Sequence, residues 1–155
     1  MADVKDLEPY AANTEGLTAV LTDIVSTMPN PIVFKVVGYV VNAFENVTQG
    51  DVLYARASDG QVGKAIANDT LDKSVVAGIA ETTVTAGSQV RVVVTGQVAV
   101  STSIDPGDLY YLSASSAGSL TKTPPTTAGH YVTLVGEAGT SNQIVLKIKR
   151  PIELG

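Results

Sequence analysis

The chain has 155 residues, with 10 Lys+Arg against 15 Asp+Glu and a formal net charge of -5. That length holds one compact domain or two very small ones and excludes a large multidomain enzyme. Hydrophobic residues make up 45% and charged ones 16%, with a mean hydropathy of +0.22, which argues against disorder, yet no apolar run is long enough to span a bilayer.

So few charges leave much surface to Thr, Ser, Gly and Ala, and self-association that hides part of it is the default expectation. With no cysteine, disulfides, thiolate zinc sites and Cys nucleophiles are excluded together. The start, Met1-Ala2-Asp3-Val4-Lys5-Asp6, has neither the basic nor the apolar region of an export signal, so synthesis and use in the cytoplasm are expected. Scattered basic residues form no cationic stripe, and nucleic-acid binding is not expected.

In chain order, residues 1–31 read as an extended arm followed by one short helix. Leu17, Val20, Leu21, Ile24, Val25 and Met28 recur at three- and four-residue spacing until Pro29 and Pro31 stop the pattern. Asn13 or Thr14 could cap it, although Gly16 weakens the first turn. The helix either covers one end of a β core, or the arm reaches a neighbouring subunit or larger surface.

Val, Thr and Gly dominate from Ile32 onward, and this part contains a repeat. Gly50-Asp51-Val52-Leu53-Tyr54 returns as Gly107-Asp108-Leu109-Tyr110-Tyr111, and Gly60-Gln61-Val62-Gly63-Lys64 as Gly118-Ser119-Leu120-Thr121-Lys122. Val75 to Ala80 aligns with Thr133 to Ala138, and Gln89 to Val94 with Gln143 to Ile148. The expected fold is mainly β: two tandem antiparallel β modules, sandwich-like or barrel-like, over residues 32–95 and 96–155, packed as one compact domain.

Parity assigns faces. Ile144, Leu146 and Ile148 point one way and Gln143, Lys147 and Lys149 the other, as in a sheet with one wet side. Val90, Val92 and Val94 repeat that apolar face, but the opposite side, with Val93, is mixed, and the run Ile32-Val33-Phe34 with Val36-Val37 is apolar throughout. Those strands are expected to be covered on both faces. Asp59-Gly60 and Ala117-Gly118 supply matching hairpin turns, and Asp105-Pro106-Gly107 presets another. Pro124-Pro125 through Gly129 should form an extended surface loop in place of the Asn68 to Ser74 connection.

Little in the sequence points to chemistry. His130 is the only histidine, and no nucleophile elbow accompanies it, so a hydrolase using His130 with Asp108 or Asp51 is the weaker reading. Asp51 and Asp108 are better explained as turn residues whose carboxylates accept backbone N–H bonds, a role that would recur with the turn. Asp69 and Asp72 lack the ligand pattern of a calcium loop, and no glycine-rich phosphate loop occurs. Tyr39, Tyr54, Tyr110 and Tyr111 read as core and sheet-surface residues rather than a stacking platform. Asn46-Val47-Thr48 and Asn68-Asp69-Thr70 match the glycosylation triplet without an export signal to give it consequence. No catalytic, cofactor-binding or metal-binding residue is assigned.

The succession Gly-Asp-Val-Leu-Tyr, a Gly-containing hairpin, Val-Ala-Gly-Ile-Ala, Gly-Ser-Gln-Val-Arg-Val-Val-Val-Thr-Gly and again Gly-Asp-Leu-Tyr-Tyr resembles the decoration, or capsid cement, proteins of tailed bacteriophages. The resemblance spans about residues 36–149 and rests on short motifs. It implies a homotrimer on the outside of the phage head, seated at local threefold axes and clamping neighbouring copies of the major capsid protein. It also implies assembly in the host cytoplasm, with the N-terminal arm as one contact and with no membrane, nucleic-acid or cofactor partner. Similar repeats occur in tail-fibre and baseplate modules, including the stretch Thr121 to Glu137, which makes a trimeric receptor-binding module the alternative.

Overall fold

The computed structural model describes residues 35–155; the helix expected over Leu17 to Met28 and the arm before it lie outside the described residues. The strands are β1 (Val37–Asn42), β2 (Val52–Ala55), β3 (Val62–Lys64), β4 (Gly78–Ala80), β5 (Gln89–Thr95), β6 (Gln97–Ala99), β7 (Leu109–Leu112), β8 (Leu120–Thr121), β9 (Tyr131–Val132), β10 (Leu134–Thr140), β11 (Gln143–Leu146) and β12 (Ile152–Glu153). They form two five-stranded antiparallel sheets, ordered β1-β5-β4-β2-β3 and β6-β11-β10-β7-β8, and a small sheet of β9 and β12. Substituting β6, β7, β8, β10 and β11 for β1 to β5 turns the first order into the second, so the sequence repeat is a repeat of topology. Its hairpins match too: Gly60 (φ 73°) and Gly118 (φ 77°) both adopt the left-handed backbone that a side chain would oppose.

The two sheets share a fold but differ in what covers them. Leu53 lies opposite Gly78 and Tyr110 opposite Gly136, which makes Leu53 and Tyr110 equivalent positions. Leu53 packs with Ala43, Val47, Val62, Ala80, Val90 and Val92 in a cluster confined to the first sheet. Tyr110 packs with Leu112, Ala138, Ile144 and Leu146 in a larger cluster that also takes in Val52, Tyr54, Ile79 and Val93 from the first sheet. Along β2, therefore, Leu53 serves one core and its neighbours Val52 and Tyr54 the other, as the period of two requires. In the first sheet β2 and β4 are buried on both faces. The second sheet is buried on one, and its outer side carries half-buried Val145 and exposed Leu109 and Lys147.

Past the end of β1 the first sheet turns back on its opposite edge. Ala43, just past β1, bridges Val62 of β3 in parallel fashion, and the Phe44 N–H donates to the Val62 carbonyl at 3.0 Å. In the second sheet the corresponding seam is filled by the first. The Val52 N–H donates to the Gly118 carbonyl at 2.8 Å, and the Gly118 N–H to the Ala65 carbonyl at 2.7 Å. Gly50 presses against Val100 and Ser101 so closely that an added Cβ would stand 2.5 Å from the Ser101 nitrogen. Further along, the Ala67 N–H donates to Ser113 (3.0 Å), the Tyr131 N–H to Ala67 (2.8 Å), and the buried Thr133 hydroxyl to the Ser74 carbonyl (2.9 Å). These bonds satisfy backbone groups that burial would otherwise leave without water or partner.

Two expectations are corrected. The Asn68 to Ser74 connection contains a single helical turn, α1 (Leu71–Ser74), capped by the Thr70 hydroxyl, which accepts the Lys73 N–H. Val36 and Val37 are not covered on both faces: they are 39% and 44% exposed, because β1 is an edge strand with β5 as its ladder partner. The Pro124 to Gly129 segment is a loop, as its prolines require.

Candidate functional site

The three residues weighed for chemistry serve different local tasks. Asp51 is half-buried in the turn before β2, where its carboxylate accepts the Thr48 N–H at 2.8 Å and its own N–H donates back to the Thr48 carbonyl at 3.0 Å. Loss of hydration holds its pKa above the ordinary carboxylate value, against the lowering effect of that hydrogen bond and of Lys64. Asp108 does something else. Its carboxylate lies 2.6 Å from the Lys122 ammonium, which also meets Asp105 at 2.8 Å, and the hydrogen bonds that the ammonium donates to both carboxylates raise the lysine pKa. The N–H that Asp108 would have capped, that of Asp105, is taken by the Tyr110 hydroxyl at 2.9 Å. The shared turn role thus holds for Asp51 and fails for Asp108, because Tyr110 replaces Leu53 at the equivalent position and supplies its own acceptor.

His130 lines a shallow cleft of about 290 Å³ with Ser113, Thr121, Thr123, Pro124 and Thr127 among its walls. Among the described residues no carboxylate lines it, so those residues do not assemble a charge-relay arrangement around this imidazole. Asp69 is paired with Lys73 at 2.5 Å, and among the described residues no three His, Cys, Asp or Glu side chains are grouped to hold a metal ion. Asn46 spends its side-chain oxygen on the Ala86 N–H at 2.9 Å, a turn contact. Tyr54 and Tyr110 are buried core residues, whereas Tyr39 is 40% exposed, with its hydroxyl pKa raised by partial desolvation. Among the described residues, no helix is long and apolar enough to cross a membrane.

Surfaces for contact are better developed than sites for chemistry. The first is β1 with the residue before it: Val36, Val37, Tyr39 and Val40 (59%) are exposed large hydrophobics, and the strand itself, VGYVVN, is free of charge and proline. Edge strands are ordinarily blunted by Lys, Pro or brevity, and β1 uses none of these devices. Sequence reasoning missed this surface because a continuous apolar run reads as a strand sandwiched on both sides.

The second is a groove of about 550 Å³ where the two sheets meet, with an apolar floor of Val76, Val94, Leu134, Leu146 and Ile148 and with Lys147 and Lys149 in its lining. Both lysines are exposed. Lys147 is paired with Glu137, while Lys149 makes no ion pair among the described residues. The Lys35 backbone lies against Gly96, next to Thr95, which also lines the groove.

No protein-family model and no curated protein matches this chain. Among solved structures, the crystal structure of the N base of head fiber gp8.5 of bacteriophage phi29 is similar, at 22% identity over 78% of this chain and 99% of that chain, with a TM-score of 0.43.

Proposed function

We propose that the chain is a structural, non-enzymatic protein of a bacteriophage head, binding the outside of the assembled capsid as a homotrimer and stabilising the shell. The observation that carries this reading is the pairing of a doubly braced β body with an unblunted apolar edge, Val36 to Val40. Such a surface is a place for another chain. The repeat grammar shared with phage decoration proteins supplies the context.

The physical task fits the surface. A protein that binds the assembled lattice better than the separate subunit raises the free energy of disassembly by that difference. Three copies held together multiply a modest contact through effective concentration, so no single copy needs an extensive hot spot.

Sedimentation of the purified protein with heads stripped of accessory proteins tests this. Co-sedimentation at micromolar concentration, with a higher temperature of head disruption, is the expected result. Binding to intact host cells instead of heads would replace it with the receptor-binding reading.

A further inference from the structure

The charge of the chain is unevenly placed. Residues 1–31 hold five acidic residues (Asp3, Asp6, Glu8, Glu15 and Asp23) and one basic residue (Lys5), a net charge of -4 out of -5 for the whole chain. Residues 32–155 are therefore close to neutral, with ten acidic and nine basic side chains. Three of those nine, Lys147, Lys149 and Arg150, fall within four consecutive positions, and the first two line the groove between the sheets. Lys147 also meets Glu137, whereas Lys149 makes no ion pair among the described residues, so an apolar floor with a cationic border at Lys149 fits a peptide that is acidic and apolar at once. The stretch Glu15 to Met28 has that composition, with Leu17, Val20, Leu21, Ile24, Val25 and Met28 set beside Glu15 and Asp23 and no Lys or Arg.

We infer that the groove lined by Val76, Val94, Leu134, Leu146, Lys147 and Lys149 receives the acidic N-terminal segment of a second copy of this chain. The stretch before the described residues ends at Phe34, next to Lys35, whose backbone rests on Gly96 beside the groove-lining Thr95. Passing such segments head to tail, each copy to the next, closes a ring of identical contacts, each combining buried apolar side chains with an ion pair at the border. The inference rests on the proposed self-association and assigns it a contact.

The test uses the full chain. An equal mixture of natural-abundance and ¹⁵N-labelled protein is treated with a carbodiimide, which joins lysine amines to carboxylates only where they touch, and the joined peptides are read by mass spectrometry. Links from Lys147 or Lys149 to Glu15 or Asp23 that join a light chain to a heavy one are expected. Sedimentation equilibrium should show that K147E/K149E weakens association about tenfold or more. The variant E15K/D23K should do the same, and the two combined should restore association. Raising salt to about 1 M should weaken the wild-type oligomer. Same-isotope links alone, or an oligomer indifferent to both charge reversals, overturn this contact while leaving capsid binding, measured by co-sedimentation, intact. A chain that stays monomeric overturns the contact and the trimer together. Should the lysine variant fail to fold by circular dichroism, the isotope pattern of the wild-type links decides.

Discussion

At the scale of single residues, the most constrained positions are those where backbones approach closely. A Cβ on Gly78 would fall on the Val93 carbonyl oxygen, and one on Gly136 on the Val145 carbonyl oxygen. Neither glycine has a positive φ, so space and not conformation demands it. Gly78→Ala and Gly136→Ala should each cost about 3 kcal/mol, the upper end of ordinary overpacking, measured by urea denaturation. Gly139→Ala is the control, since its methyl would meet side-chain atoms, Gln97 Nε2 at 3.2 Å and Val145 Cγ2 at 3.3 Å, and come no nearer than 3.7 Å to the Gln143 carbonyl oxygen, so it should change stability far less. Thr133→Val removes the buried donor to Ser74 and should cost about 1 to 3 kcal/mol. Asp51 gives a pH signature. Its folded pKa is raised, so the native state holds this proton more tightly than the unfolded chain, and the carboxylate loses stability as pH rises from the unfolded to the folded pKa. Asp51→Asn keeps an oxygen for the Thr48 N–H and removes the charge. Its melting temperature should exceed that of the wild type at pH 7, with the gap closing as pH falls through that window.

At the scale of elements, the sequence was most legible where turn chemistry and parity agreed. The hairpins at Gly60 and Gly118, the turn at Asp105 to Gly107, and the alternation along β11 follow from residues whose backbone or side-chain requirements are local. It was least legible where an element's surroundings decide its burial. β5 reads as apolar on one side and mixed on the other, and β1 belongs to a run that is apolar throughout. Val92 and Val93 of β5 are buried on opposite faces, one in each core, whereas Val37, Tyr39 and Val40 of β1, at the rim of the sheet, are exposed. The more apolar strand is thus the more exposed, which periodicity does not reveal. Asp108 misled for a related reason: its motif matches that of Asp51, but a tyrosine two residues later changes which group caps the turn. The exposed face of β1 can be tested directly. Val40→Lys, at a position 59% exposed, should leave stability within about 0.5 kcal/mol while reducing co-sedimentation with heads.

At the scale of the whole described body, the two sheets are not interchangeable despite their common order. The first owns a private core and lends its outer face to the second; the second has only the shared core. Ile79→Ala, at a fully buried position of that shared core, should cost about 2 to 5 kcal/mol. Because the core is common, the loss should shift a single unfolding transition seen alike by circular dichroism and tyrosine fluorescence. A fragment of residues 96–155 should not fold by itself, as judged by amide dispersion in its NMR spectrum. None of this asymmetry could be read from the repeat, since matched motifs such as those around Leu53 and Tyr110 specify the same strand and leave open what it leans on.

The turn at Gly50 to Val52, wedged into the second sheet beside Gly118 and Ser101, also sets an order of events. The ribosome delivers the self-contained half first, so the later half emerges onto a finished template and need not leave Ile144 and Leu146 waiting in water. A circular permutant that begins at residue 96 reverses that schedule, and its nascent chains should fall to aggregation or proteolysis more often, although the completed protein has the same contacts.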